Sequence, residues 1–293
     1  PDLVYSDDAF LAKYQKLSGA KSIKKMSIKN QLSKKNHIEL SKICKKYKID
    51  YLCSAFDIDS LDFLIKKIKI PIIKIPSGEI TSIDILEKIS KERKKILLST
   101  GMSKIADIRY ALKILNKNFK KKITLLHCVS SYPSPNHILN INLIKKLEKE
   151  FNLPVGYSDH SLGSNACIAA VACGAKVIEK HVTLSRNYKG PDHKSSMEVK
   201  NFVKMIKEIR KLEIIMGGNV KNISYHEKEI QKVARKSIVS KTDLEKGTIL
   251  KKTDFAYKRP GTGISPMQVN KLVGKKITIS IKKNKLIKLK NIK

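Results

Sequence analysis

Apolar runs of strand length recur along the first two-thirds of the chain, at residues 51–56, 72–77, 96–100, 123–130, 154–158 and 177–183. They are β-rich and nearly unalternated, as parallel strands covered on both faces should be. Stretches with helical spacing lie between them, at 59–67, 105–116, 142–150 and 164–174. Alternation of this kind predicts repeated βα units and a parallel α/β fold. A further helix over 199–216 stops at Gly217 and Gly218.

The tail changes character. Residues 219–231 read as a linker, and 232–293 as a small, mostly β domain with short runs at 237–240 and 276–281 and turns at 245–247 and 259–263. About sixty residues bury little core, so this domain is expected to dock on something. Residues 1–218 form the larger domain. Six βα units are two short of a TIM (β/α)8 barrel. With Pro rather than Met in first place, the count leads us to expect an N-terminally truncated barrel lacking its first two βα units. A six-stranded open sheet is the alternative; the polar strand ends favour the barrel.

In parallel barrels, chemistry gathers at the C-terminal ends of the strands. Here those ends carry Lys74, Ser77 and Glu79; Ser99; Ser130 and Tyr132; Ser158 and His160; and Glu179 and His181. Serine and glycine also terminate strands for purely local reasons, but five polar ends in succession are hard to explain by packing. Serines and a lysine on converging strands suit a phosphorylated or carboxylated ligand, with Lys74 supplying the compensating charge. A lone strand-end histidine is commonly a hydrogen-bonding core residue. Two on neighbouring strands, His160 and His181, suit a divalent transition ion acting as a Lewis acid. Asp192, in the GPDH segment 190–193, is either a turn residue or an acceptor for sugar hydroxyls.

The net charge of +35 raises a nucleic-acid reading. The charge is almost all lysine, spread along the chain without the arginine and aromatic clusters of a dedicated nucleic-acid surface. No specific nucleic-acid partner is therefore expected, although the field can steer an anionic substrate. No apolar run reaches the length of a membrane span. Five scattered cysteines without a CxxC pair read as reduced thiols in a cytoplasmic protein.

Taken together and in order, several segments resemble the N-acetylneuraminate synthase family, including its legionaminate-type members. They are FDIDSLDFL (56–64), KIPSGE (74–79), LSTGM (98–102), LHCVSSYP (126–133), GYSDH (156–160), IEKHVT (178–183), GPDH (190–193) and KRPGTGISP (258–266). The resemblance covers nearly the whole chain. It implies a TIM barrel followed by a small antifreeze-like (SAF) domain, swapped between the subunits of a homodimer. It also implies metal-dependent condensation of phosphoenolpyruvate with N-acetylmannosamine, or a 2,4-diacetamido-2,4,6-trideoxymannose analogue, to give a sialic-type acid and phosphate.

By the same resemblance, Lys74, Ser77, Ser99, Ser130 and Ser158 hold phosphoenolpyruvate. His160 and His181 bind the metal, manganese in the first instance, with magnesium or cobalt as alternatives. Glu79 is catalytic alongside the two histidines. Tyr132 and Asp192 lie near the sugar, and Arg259 reaches the acyl group in the partner's site. Two departures stand out. The family's catalytic Glu and second phosphoenolpyruvate-binding Lys, on its first two strands, have no counterpart here, so the chain as it stands is expected to be inactive. Ser130 and Arg235 replace an Asn and an aromatic found in some sialate synthases, which leaves the sugar open.

Two rivals remain at this point. One is a Schiff-base aldolase on the same barrel, with Lys74 or Lys180 as nucleophile. The other is a non-catalytic module that uses its basic surface on polyanions.

Overall fold

The computed structural model describes residues 2–12, 15–16, 19–117 and 122–293. The chain divides into two compact units, residues 1–217 and 218–293.

In the first unit β1 (Ile72–Ile75), β2 (Lys95–Ser99), β3 (Ile123–Cys128), β4 (Val155–Asp159) and β5 (Ile178–Lys180) form one sheet in sequence order, every pair parallel. Before them, over residues 23–68, lie the helices α1 (Ile23–Asn30), α2 (Lys34–Lys46) and α3 (Ile58–Phe63), the last running into a π-helical turn over Leu64–Ile68. The crossovers are α4 (Ile83–Ser90), α5 (Ile105–Leu115), α6 (Leu143–Phe151) and α7 (Asn165–Ala172). Parallel strands cannot be joined by a hairpin, so each crossover places a helix on the sheet and both strand faces are buried. Ile96, Leu98, Leu125 and Leu126 are accordingly at most 1% exposed. Helix α4 turns Ile85, Leu86 and Ile89 inward, the i, i+1, i+4 stripe of a helix lying on a core. This is the α/β architecture that the periodicity predicts, with consecutive strand ends opening on one side of the sheet.

Four local expectations are corrected. Residues 51–56 form no strand: they make a single parallel bridge, Ser54 to Lys74, although Tyr51 and Cys53 pack on the core. Among the described residues this segment has a neighbour on one side only, and a ladder held from one edge is short. The run 177–183 is two strands. The chain leaves the sheet at His181, and β6 (Val182–Thr183) pairs instead with β7 (Met197–Glu198), just before α8 (Val199–Met216).

The third correction concerns the linker. Residues 219–231 contain most of α9 (Tyr225–Ala234), nucleated by a capping box in which Ser224 accepts from the Glu227 amide and Glu227 accepts from the Ser224 amide. In the second unit β8 (Ser237–Ser240) pairs antiparallel with β9 (Phe255–Lys258) over a core that includes Ile238, Leu250, Phe255 and Ile287. The run 276–281 is no strand but a set of isolated bridges, Lys276 to Ile249, Ile277 to Ile292 and Ile281 to Leu244.

All five cysteines are free thiols. Among the described residues no helix is long and apolar enough to cross a membrane.

Candidate active site

A cavity of about 810 Å³ opens at the C-terminal ends of β1 to β5. The period-2 alternation of strands decides which residues face it. On β4, Ser158 and the following His160 line the cavity; on β5, so do Glu179 and the following His181. Asp159 and Lys180, the residues between, turn to the other face, where the Asp159 carboxylate accepts from the Cys167 thiol of α7.

One wall is a polar cradle. Lys74 is buried, and its ammonium lies 3.5 Å from the Glu179 carboxylate. The same carboxylate oxygen accepts from the Ser158 hydroxyl at 2.7 Å. Ser77 accepts from the Gly101 amide at 3.0 Å and sits 3.2 Å from the Cys128 sulfur. The buried Ser99 hydroxyl lines the cavity without a hydrogen-bond partner. An unpaired buried hydroxyl is costly unless something supplies a partner, so its place in the wall marks a ligand position. Gly101 leaves the cradle open. A Cβ there would lie 2.5 Å from the Ser130 Oγ and 2.9 Å from both the Cys128 Sγ and the Ser77 Oγ.

The neighbouring part of the wall is aromatic. The rings of His160 and His181 stand 5.4 Å apart, edge to face, and Tyr132 packs 4.3 Å from His160. Burial, reinforced by the neighbouring His181, pulls the His160 pKa below its ordinary value and outweighs the opposing hydrogen bond to Val129. Its Nδ1 lies 2.8 Å from the Val129 carbonyl, which can only accept, so Nδ1 carries the proton and Nε2 keeps its lone pair. A neutral imidazole oriented by a carbonyl behind it is the state of a metal-ligating histidine. The two rings fit a ligand pair, with water or substrate oxygens completing the coordination. A closed protein site is not formed, since no cluster of three or more His, Cys, Asp or Glu suited to a metal occurs among the described residues.

Eight of the sequence-predicted site residues thus meet in one cavity: Lys74, Ser77, Ser99, Ser130, Tyr132, Ser158, His160 and His181. Three are not among its lining. Glu79 sits in the turn after β1 and accepts from the Ser82 hydroxyl at 2.6 Å. Asp192 stands at the edge, 4.0 Å from the His181 Nδ1. Arg259 belongs to the second unit, where its Nε donates to the Ala234 carbonyl.

Glu179 is the cavity residue that residue-level reading left without a role. The sequence names it among the polar strand ends, two residues before His181, and the structure sets it in register with Ser158. Lys180 is corrected as a Schiff-base candidate. Its side chain is 1% exposed and faces away from the cavity, held by Asp159 at 2.6 Å and by the Ser161 carbonyl at 2.5 Å.

Comparison with known proteins gives this geometry a setting. The NeuB family profile matches residues 1–221, and the SAF domain profile residues 235–293. The chain is 43% identical over 262 residues to the N,N'-diacetyllegionaminic acid synthase of Campylobacter jejuni, covering 89% of this chain and 78% of that protein. Among solved structures, the N-acetylneuraminic acid (sialic acid) synthetase of Leptospira borgpetersenii, determined in complex with citrate, superposes with a TM-score of 0.67 at 32% identity, covering 74% of this chain and 76% of that one. A spore coat polysaccharide biosynthesis protein E from Chromobacterium violaceum reaches a TM-score of 0.82 at 24% identity over 99% and 87% of the two chains, a likeness that speaks to the fold alone. The fold is thereby that of the TIM-barrel synthases with an added small β domain.

Proposed function

The chain belongs to the NeuB family, and from that premise we propose that it joins phosphoenolpyruvate to the open-chain aldehyde of an N-acylated mannose-type sugar, giving a nonulosonic acid and phosphate. The observation that carries the reading is the single cavity lined by both a serine–lysine cradle and a pair of imidazoles. An anion with both a carboxylate and a phosphate suits the cradle, and an electrophilic carbonyl suits the space before the rings.

In this reading Lys74 balances ligand charge, and the hydroxyls of Ser77, Ser99, Ser130 and Ser158 donate to its oxygens. Glu179 already shares Lys74 and Ser158, so it sets their spacing and limits how much positive charge the cradle presents. Tyr132 covers one face of His160 and narrows the space a sugar chain can occupy. A divalent ion held by His160 and His181, manganese first, would supply Lewis-acid polarisation of the aldehyde oxygen. The enol carbon of phosphoenolpyruvate forms the new C–C bond, water adds at the former enol C2, and phosphate leaves with cleavage of its C–O bond. Asp192, beside His181, is placed to accept from a sugar hydroxyl. Arg259 is assigned to the acyl group in the cavity of a second subunit.

Of the two sugars, the 2,4-diacetamido one is preferred. Identity to the legionaminic acid synthase is 43%, against 32% to the sialic acid synthetase.

Phosphate release tests the reading. It is measured with phosphoenolpyruvate plus either N-acetylmannosamine or 2,4-diacetamido-2,4,6-trideoxymannose, each with manganese and with chelator. The expected result is metal-dependent release that requires a sugar and is faster with the diacetamido one. No release with either sugar, from folded and metal-loaded protein, would sink the assignment.

A further inference from the structure

Behind the cavity wall, on the helix side of the sheet, lies a charged pair that packing alone does not require. Asp159 at the end of β4 and Lys180 at the end of β5 are register partners, and their side chains are 0% and 1% exposed. Every other ion pair among the described residues has a partner exposed by more than a quarter. The Asp159 carboxylate is fully engaged. Oδ1 accepts from the Ser161 amide at 2.9 Å and the Tyr157 hydroxyl at 3.2 Å, and Oδ2 accepts from Lys180 and the Cys167 thiol. Burial pushes its pKa up, but the Lys180 hydrogen bond and charge, with the Ser161 contacts, bring it below the ordinary carboxylate value.

Desolvating two charges is expensive, and apolar side chains of similar volume usually join a sheet to a helix at lower cost. The neighbouring contacts are apolar or weakly polar: Ala166, Cys167 and Ala170 of α7 are all buried. The placement of the pair explains its retention better than packing does. Asp159 immediately precedes His160, and Lys180 immediately precedes His181. The Lys180 ammonium also donates to the Ser161 carbonyl, so one cation ties down the residues on both sides of His160. At this point the chain changes partner: β5 pairs with β4 as far as Lys180, and β6 pairs with β7. The His181 carbonyl accepts from the Met197 amide at 2.9 Å, so His181 sits at the junction of two sheets, with Lys180 its last tie to β4.

We propose that the Asp159–Lys180 pair, with Ser161, is a positioning clamp that sets the separation and orientation of the His160 and His181 rings. These are positioning residues, not catalytic ones, because their side chains lie on the far side of the sheet from the cavity. The clamp deepens the proposed function, and only its metal-binding arm rests on that reading.

The test uses the full chain and the double variant Asp159→Asn/Lys180→Met, which removes both buried charges. A single substitution would strand the other charge and risk the fold. Lys180→Arg serves as the second variant, keeping both charges but lengthening the bridge. Three quantities are read: thermal unfolding, Mn2+ affinity from the electron paramagnetic resonance signal of free ion, and ring placement in crystal structures.

The double variant is expected to melt cooperatively within a few degrees of the parent. Its rings should leave their 5.4 Å edge-to-face arrangement, and Mn2+ binding should weaken by about ten- to a hundredfold, the usual effect of losing an orienting group behind a ligand. Lys180→Arg should weaken it by a smaller factor with the fold intact. Unmoved rings and unchanged Mn2+ affinity in a folded double variant would overturn the clamp. If the double variant fails to fold, unmoved rings and parental affinity in Lys180→Arg overturn it equally. A parent chain that takes up no Mn2+ would instead defeat the ligand-pair reading, and the ring positions would still decide the clamp.

Discussion

At the scale of single residues, the cavity depends on what is missing at one of them. Gly101 follows β2 and faces three side-chain atoms that a Cβ would meet at 2.5 to 2.9 Å. Its backbone conformation is ordinary, so the requirement is space for the cradle rather than left-handed geometry. Gly101→Ala should leave the chain folded, since Ser130 and Ser77 can rotate away, but their hydroxyls would then be misaimed. Calorimetric titration with phosphoenolpyruvate should show at least about tenfold weaker binding, the loss of roughly one charge-assisted hydrogen bond. Unchanged affinity would mean that these serines do not hold the anion. The residue scale also separates two lysines that look alike in sequence: Lys74 lines the cavity, whereas Lys180 is spent on Asp159 behind it.

At the scale of elements, β1 to β5 and the helices α3, α5, α6 and α7 were legible because buried parallel strands leave short, continuous apolar runs set between helical spacings, whereas α4 (Ile83–Ser90) was not among the stretches read as helical. The helix α8 was placed to the residue, since Gly217 is its C-cap with a φ of 55°. What was not legible depended on neighbours. Residues 51–56 have strand composition, but composition does not supply a second ladder. The change of partner between β5 and β6 leaves no mark in the run 177–183. Helix α9 carried its signal in Ser224 and Glu227, a capping box hidden in a polar stretch that otherwise reads as linker. The site followed the same division. Serines, Lys74 and the two histidines could be found because strand ends in this architecture point one way. Glu79 sits one turn too far along to line the cavity, and Glu179 lies within a strand whose register decides its face.

At the scale of the whole molecule, the net charge of +35 is best read as a field over the surface, able to raise the encounter rate of an anionic substrate at low salt. The second unit presents a different question: what Arg259 is for. If its guanidinium completes the cavity of a second subunit, two inactive variants should rescue one another. Arg259→Ala and His160→Ala, unfolded together and refolded as a mixture, would form mixed dimers with one intact site each. Statistical assembly gives about a quarter of parental activity, against nearly none for either variant alone. No recovery in dimers shown to be mixed would place Arg259 elsewhere.

The central claim is a bond-forming and bond-breaking pattern, and isotope labelling tests it most directly. Phosphoenolpyruvate carrying 18O in its bridging position is turned over with the preferred sugar, and the products are weighed by mass spectrometry. Attack by the enol carbon followed by C–O cleavage sends the bridging oxygen out with phosphate, so the account predicts labelled phosphate, formed only with sugar present and matched one for one by an unlabelled nonulosonic acid. Unlabelled phosphate, with the 18O retained in pyruvate or in the sugar acid, would show P–O cleavage and contradict it.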